Sequence, residues 1–238
     1  MLIFLDLKTT GFEKNDKICS MGLIVTDAQH RETRYELFNE GKKISSKASS
    51  LHHITNEMLK NKPNFIQSDI YRFLISHNNQ DTTLVTHNVK LLLDTLLLYN
   101  ISWKGGVIDT FRVVKHLISE CEFFSLQFLR YELKLYYHEE QQSLFFGINP
   151  NIIANNALDD ALITKLLYDY LLDYATIDEM YELSFKNVLV QKIGFGKYAD
   201  RYIEDIVIND RKYLQWLLRN ITDMDEDLRY SIEYYLKG

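Results

Sequence analysis

Leu5-Asp6-Leu7-Lys8-Thr9-Thr10-Gly11 closes an apolar run that begins at residue 2. A continuous apolar run that ends in a polar turn is typical of a strand at the centre of a sheet. Residues 18–26 and 32–38 have strand-like composition and are joined by short polar turns. The sequence therefore predicts that three strands in meander order open the domain.

Strands and helices alternate further along the chain. Short strands are predicted at residues 83–85 and 107–109. Apolar spacing predicts helices at 91–98, 125–133, 157–174, 176–186, 211–219 and 225–236. Ser125 and either Asn155 or Asn156 are suitable helix caps. This pattern predicts an α/β domain over residues 1–187, with a mixed central sheet flanked by helices, and a small, mainly helical C-terminal module over residues 188–238.

The composition sets bounds on function. With 238 residues, 46% of them hydrophobic, the chain can bury one full domain and has room for a small second one. No stretch reaches the roughly 18 apolar residues of a membrane span, so we expect a cytoplasmic protein. Cys19 and Cys121 are too few for a disulfide framework or a zinc site, which argues against redox chemistry.

The charge distribution leaves nucleic-acid binding open. A net charge of −6 argues against nonspecific coating of nucleic acid, but binding needs only a local basic surface. Residues 42–62 contain five lysines and one acid, and residues 186–219 contain seven basic residues interleaved with aromatic ones. Such segments suit phosphates and stacked bases, and they are equally compatible with a solvated face over ordinary core aromatics.

Three segments bear on phosphodiester chemistry. Two-metal cleavage uses a pair of divalent ions about 4 Å apart, held by about four carboxylates, and a base that deprotonates water. The segments are LDLKTTGF at 5–12, HNVKLLLD at 87–94 and NNALDDALITKLL at 155–167. In this order they resemble the three motifs of the DEDDh (DnaQ-like) 3′–5′ exonuclease family. The resemblance implies an RNase H-like fold over about residues 1–175.

Shorter segments extend the resemblance along the chain. HHITNEML at 52–59, IDT at 108–110 and SLQFLR at 125–130 are similar to family segments in the same order. GFGKYADRYIEDI at 194–206, YLQWLL at 213–218 and DEDLRYSIEYYL at 225–236 are similar to a module that follows exodeoxyribonuclease X-like domains. The resemblance thus extends to the C-terminal module.

The chain departs from the family at three of five expected catalytic positions. Asp6 and Asp160 match metal-binding acids of the first and third motifs. Lys8 stands at the glutamate of the first motif, Leu92 at the aspartate of the second, and Asn155 at the general-base histidine of the third. If a metal is bound, the resemblance implies Mg²⁺ or Mn²⁺ at Asp6 and Asp160.

These substitutions predict impaired catalysis. Two carboxylates with a protonated Lys8 cannot neutralise two divalent ions, so we expect metal to bind weakly or not at all. An ammonium pairs readily with carboxylates, and we hypothesise that Lys8 bridges Asp6 and Asp160; the alternative turns Lys8 to solvent. Asn155 cannot take a proton from water, because an amide is not a base near neutral pH.

Other residues could take the place of the missing acid or the missing base. Asp94 lies about 200° around a helix from Leu92, so we expect it to point away from the site unless the helix register is shifted. His87 matches a family residue that is not the base, and His52 or His53 could approach from a loop. We expect these histidines to be structural or on the surface.

A protein that has lost catalysis could still bind nucleotides. By resemblance, Thr10, Gly11, Phe12 and Asn88 match positions that line the cleft for the terminal nucleotide. The simpler interpretation of Thr10 and Gly11 is a tight turn after a strand.

The sequence thus favours an exonuclease-fold protein that binds a single-stranded 3′ end of DNA or RNA and is catalytically impaired. A weak metal-dependent 3′–5′ exonuclease using Asp6 and Asp160 is one alternative. A protein-interaction scaffold, with a partner held through the C-terminal module, is another.

Overall fold

A mixed five-stranded sheet forms the centre of the protein. The computed structural model describes residues 1–27 and 31–237; part of the predicted turn between the second and third strands lies outside them. The strands are β1 (Leu2–Thr9), β2 (Ile18–Thr26), β3 (Arg31–Leu37), β4 (Thr83–Thr86) and β5 (Gly106–Asp109), in the order β3-β2-β1-β4-β5. The first three pair antiparallel, and β1, β4 and β5 pair parallel. The predicted meander and α/β class are confirmed.

Helices connect and follow the strands. They are α1 (Ser46–His52), α2 (Asn56–Leu59), α3 (Asp69–Ser76), α4 (Val89–Leu98), α5 (Thr110–Leu117), α6 (Leu126–Glu132), α7 (Glu139–Phe146), α8 (Ala157–Leu171), α9 (Ile177–Phe185), α10 (Ile203–Asn220) and α11 (Glu226–Lys237). The sequence did not predict α1, α2, α3, α5 or α7. The helix predicted at 211–219 is longer than expected: it begins at Ile203 and kinks at Asp210.

The two faces of the sheet carry different cores. Alternation along β1 places Ile3 and Leu5 in one hydrophobic cluster and Phe4 in the other. Phe4 makes an edge-to-face contact with Tyr168 of α8, with ring centroids 5.3 Å apart. The same alternation places Asp6 on the Phe4 face, the face that α8 covers.

Gly22 on β2 allows α8 to approach the sheet closely. It lies opposite Asp6 in the β1–β2 pairing. A Cβ added at Gly22 would lie 2.2 Å from the backbone nitrogen of Leu158, so any side chain here would displace the first turn of α8. Glycine at this position therefore brings the start of α8 next to the end of β1.

The chain divides into two compact units, Met1–Ser184 and Phe185–Gly238. The second unit has a core of its own. It is formed by Ile193, Ile203, Ile206, Leu214, Leu217, Met224, Leu228 and Ile232. The domain assignment 1–187 and 188–238 stays a prediction.

Candidate active site

Asp6, Lys8 and Asp160 meet beside the end of β1. Asp6 and Lys8 share a face of the strand because side chains alternate. Asp160 lies in the first turn of α8, which is capped by Asn156; the Oδ1 of Asn156 accepts hydrogen bonds from the backbone N–H groups of Leu158 and Asp159. The cap fixes where α8 begins, and with it the position of Asp160.

The ammonium of Lys8 lies between the two acids. Its Nζ is 2.8 Å from Oδ2 of Asp6 and 2.5 Å from Oδ2 of Asp160. All three side chains are largely removed from solvent. The predicted bridge is present, and Lys8 does not turn to solvent.

Asp160 receives two further hydrogen bonds. Its Oδ1 accepts from Nε2 of Gln127 at 2.7 Å and from the backbone N–H of Asn155 at 3.2 Å. Asn155 has a left-handed backbone, with φ of 64°, which directs its N–H to this carboxylate. Neither hydrogen bond was predicted: Asn155 was named only for its position in the third motif, and Gln127 lies in the SLQFLR segment, which no local pattern links to Asp160.

Burial governs the ionisation of Asp6. Burial raises the pKa of Asp6 to about 7; the Lys8 ammonium opposes this rise and the charge of Asp160 adds to it. Burial tends to lower the pKa of Lys8, but Asp6 and Asp160 together raise it above the ordinary lysine value. The single ammonium of Lys8 does not fully offset burial, so the pKa of Asp6 stays raised.

This donor set does not fit a pair of divalent ions. Two carboxylates and one ammonium give a formal charge of −1, from −2 and +1. The ammonium also lies against the oxygens that would have to bind the ions. Within residues 1–27 and 31–237, no group of three or more His, Cys, Asp and Glu side chains could hold a metal ion.

Helix α4 turns Leu92 into the core. Leu92 is only 2% exposed and packs in the hydrophobic cluster, so it does not face the cleft. Leu91 and Asp94 line the cleft. The expectation that Asp94 points away from Asp6 and Asp160 stays a prediction. The first turn of α4 is fixed by Asp109, whose carboxylate accepts the N–H groups of Asn88 and Val89, each at 3.0 Å.

Asn88 caps α4. Its φ is 101°, and its Oδ1 accepts the N–H of Leu91 at 3.3 Å. It lies outside the lining of the cleft that holds Lys8. Its side chain is therefore engaged in starting the helix.

The histidines near the site are engaged in structural hydrogen bonds. The N–H of Ile54 donates to Nδ1 of His52, so Nε2 carries the proton and donates to the carbonyl of Thr9 at 3.2 Å. His87 bonds the hydroxyl of Thr110 and the carbonyl of Phe124. Desolvation lowers the pKa of His52 and of His87, so both favour the neutral form.

A cleft of about 630 Å³ opens beside Lys8. Its lining is Leu7, Lys8, Thr9, Gly11, Phe12, Glu13, Lys14, Asp16, Ala48, Leu51, His52, Leu91, Asp94, Thr95, Leu97, Leu98 and Asn155. Phe12 is 61% exposed, and the ammonium of Lys47 lies 4.8 Å from its ring centroid. Thr10 is buried, and its hydroxyl donates to Asp16 at 2.8 Å, which holds the turn rather than facing the cleft.

Gly11 is required by a close approach. A Cβ there would lie 2.4 Å from Oδ2 of Asp16. The turn after β1 is thus closed by Asp16, which bonds Thr10 and the N–H of Glu13. Phe12 and Gly11 reach the cleft lining; Thr10 and Asn88 do not.

The fold and the acid pair at the end of β1 define the class of protein: an RNase H-like domain of the nuclease type. Residues 3–144, more than half of the chain, match the exonuclease family, and residues 193–222 match the exodeoxyribonuclease X-like C-terminal family. The chain belongs to the exonuclease family, in its DEDDh (DnaQ-like) branch. The family resemblance seen in the sequence is confirmed.

Sequence similarity to a known exonuclease extends along the full chain. Exodeoxyribonuclease 10 of Escherichia coli (strain K12) is 24% identical over 241 residues, covering 100% of both chains. DNA polymerase III subunit epsilon of Treponema pallidum (strain Nichols) is 28% identical over 172 residues, 68% of this chain and 72% of that one. A solved structure, exonuclease X in complex with 5′ overhanging duplex DNA, has a TM-score of 0.59 and 20% identity over 77% of this chain and 99% of its own. This similarity shows the fold.

Proposed function

We propose that this protein binds nucleic acid through an exonuclease fold whose two-metal centre is replaced by a salt bridge, leaving catalysis impaired or absent. The observation that carries the proposal is the position of Lys8. Its ammonium lies within 2.8 Å of Asp6 and 2.5 Å of Asp160, the two retained acids. An internal cation thus takes the place of the divalent charge.

Charge and proton transfer both argue against efficient hydrolysis. Mg²⁺ or Mn²⁺ would have to displace an ammonium that makes two ion pairs, so we expect either ion to bind weakly or not at all. Asn155 lines the cleft but is not a base, and His52 and His87 are engaged in other hydrogen bonds. A water molecule in the site would therefore lack both the metal ion and the base that turn it into an attacking hydroxide.

The cleft supports binding of a nucleotide. Phe12 offers an exposed ring to stack on a base, and Lys47 beside it offers charge to a phosphate. Gly11 allows close approach of the backbone at the cleft wall. We propose a single-stranded 3′ end of DNA or RNA as the ligand. The solved structure of exonuclease X holds 5′ overhanging duplex DNA, which supports nucleic acid as the kind of ligand.

One observation favours residual activity as a second candidate function. Asp94 lines the same cleft as Lys8, so a third carboxylate is present on the wall of this cleft. A single ion held by Asp94 with Asp6 or Asp160 would support weak metal-dependent 3′–5′ cleavage. This alternative requires Lys8 to swing away from at least one acid.

A single-turnover assay distinguishes the two candidates. Single-stranded DNA and RNA, 5′-labelled, would be incubated with enzyme in excess and Mg²⁺ or Mn²⁺, beside the Asp6→Asn, Asp94→Asn and Asp160→Asn variants. Our proposal expects no shortening of the strand while the strand stays bound in a gel-shift assay. Shortening that is abolished by Asp94→Asn and by at least one of Asp6→Asn and Asp160→Asn would establish the exonuclease. Absence of binding by a folded protein would exclude the proposal.

We also propose that residues 188–238 form a separate module. The core formed by Ile193, Leu214 and Ile232 lies wholly within this segment, which supports independent folding. The segment expressed alone should unfold cooperatively on heating, as followed by circular dichroism. A fragment without a cooperative transition would make it an extension of the first domain.

A further inference from the structure

A second, shallower depression of about 220 Å³ lies in the segment from β3 to α2. It is lined by Asn39, Gly41, Lys42, Lys43, Asn56, Leu59 and Lys60. Three of the seven lining residues are lysines and none is an acid. In a chain with a net charge of −6, this lysine depression is a local basic site.

Two of the three ammonium groups are available to a ligand. Lys42 is committed: it pairs with Asp16 at 2.8 Å and donates to the carbonyl of Asn15 at 3.1 Å. Lys43 and Lys60 are exposed, and among the residues that the structure describes neither side chain makes a hydrogen bond or an ion pair. Their charges are therefore not used by the fold.

The rim of the depression is held in place. The side chain of Asn56 bonds both the N–H and the carbonyl of Ile44, at 2.9 and 3.4 Å, and Ile44 is buried. Asn39 accepts the N–H of Gly41 at 3.1 Å, and Gly41 has a left-handed φ of 74°. Ordered backbone around the lysines lowers the entropic cost of binding a ligand there.

The lysine depression adjoins the cleft. Asp16 lines the cleft and pairs with Lys42, which lines the depression, so one ion pair forms the wall between them. On the cleft side, the ammonium of Lys47 lies over the ring of Phe12. Lys47 beside Phe12 and the pair Lys43 and Lys60 in the depression therefore supply positive charge in the two adjoining sites.

We propose that the lysine depression is a phosphate subsite for the same single strand whose terminal nucleotide occupies the cleft. This inference rests on the proposed function, because it assigns a second contact to the same ligand. A bound single strand stacks a base at one point and contacts the protein through phosphates at intervals along its backbone. Phe12 provides the stacking surface, and the pair Lys43 and Lys60 provides the phosphate contact in the adjoining site. Phosphate contacts carry no base information, so the subsite holds strands of any sequence.

The test compares two double variants of equal charge. K43A/K60A removes the two free ammonium groups of the depression. K104A/K237A removes two exposed lysines outside both sites. Binding of a 5′-labelled oligothymidylate of about twelve nucleotides would be followed by fluorescence anisotropy over roughly 50 to 300 mM salt.

The expected result is a change in salt dependence. Each lost phosphate contact lowers the slope of log K against log salt by about 0.7 for a single strand, so K43A/K60A should flatten it by about 1.4. K104A/K237A should keep the wild-type slope. Thymidine, which carries no phosphate, should bind the wild type and K43A/K60A equally.

Other outcomes overturn the inference. If the wild-type protein binds the oligonucleotide and K43A/K60A keeps the wild-type slope, the phosphate subsite is excluded. The proposed function is unaffected by that result. If the wild-type protein does not bind the oligonucleotide, both the phosphate subsite and the proposed function are excluded. Equal competition by polyglutamate of matched length would show that the depression takes any polyanion, against a subsite for a nucleic-acid strand.

Discussion

The Nζ of Lys8 lies 2.5 Å from Oδ2 of Asp160, a residue 152 positions further along the chain. This ion pair joins β1 to the first turn of α8 and is only slightly exposed to solvent. Together with the 2.8 Å contact to Asp6, it makes Lys8 a structural counter-ion between the two acids.

Lys8→Met should destabilise the protein by roughly 3 kcal/mol, because removing one partner of a buried ion pair leaves carboxylates uncompensated. The variant keeps a long apolar stem, so lost charge is the main change. Urea unfolding at neutral pH measures the free energy of unfolding. Lys42→Met is the control: its pair with Asp16 is more exposed at the lysine and should cost less than about 1 kcal/mol. Equal costs in the two variants would contradict the burial argument.

Lys8→Glu should create a metal site, because three carboxylates would then face one another and the ammonium would be gone. An ion that binds only the folded state raises the melting temperature. We expect Mn²⁺ to raise the melting temperature of Lys8→Glu and to leave that of the control Lys8→Gln unchanged. No Mn²⁺ effect on a folded Lys8→Glu variant would mean that Asp6 and Asp160 are not placed to share an ion.

Ionisation of Asp6 should lower stability as the pH rises. Burial raises the pKa of Asp6 from 3.8 to about 7, so between these values the folded state holds a proton that the unfolded state has lost. The unfolded state binds fewer protons, and the free energy of unfolding therefore falls as the pH rises through this window. Asp6→Asn lacks the titrating group and should lose this part of the pH dependence. Urea unfolding from about pH 4 to pH 8 tests it; identical profiles for the two proteins would argue against a raised pKa.

Leu92→Asp should destabilise the protein by about 3 kcal/mol or more, because it places a carboxylate in the core. Leu91→Asp should change the free energy of unfolding by about 0.5 kcal/mol or less, because Leu91 is 48% exposed at the cleft. Thermal unfolding of the two variants, side by side, tests which of the two leucines is buried. A larger loss of stability in Leu91→Asp than in Leu92→Asp would show that Leu92, and not Leu91, faces the cleft.

Gly196→Ala should destabilise the second unit by about 1–2 kcal/mol, because φ at Gly196 is left-handed, at 73°. An added Cβ would also lie 2.6 Å from the hydroxyl of Tyr213. Gly194→Ala is the matched control, since a Cβ there meets no atom within 4 Å. Hydrogen exchange of the amides in α10 and α11 reports the local stability. Similar exchange in both variants would show that Gly196 is not strained.

Several features of the fold were predictable because they depend on neighbours in sequence. The β1 strand and its turn follow from a continuous apolar run and a glycine, and Asn156, one of the two residues considered as caps, does cap α8. Short helices such as α1 and α2 were missed. They begin at caps, Ser45 and Thr55, but are too short to show an apolar period.

By itself, the sequence determined the resemblance to the family, the meander of the first three strands and the identity of the residues at the motif positions, because those depend on local pattern and spacing. Only the tertiary structure decided what the substituted residues do. Lys8 contacts Asp160 because Gly22 lets α8 approach the sheet, and Leu92 is buried because Asp109 fixes how α4 starts. These outcomes depend on atoms brought together from distant parts of the chain, and no local period of the sequence records them.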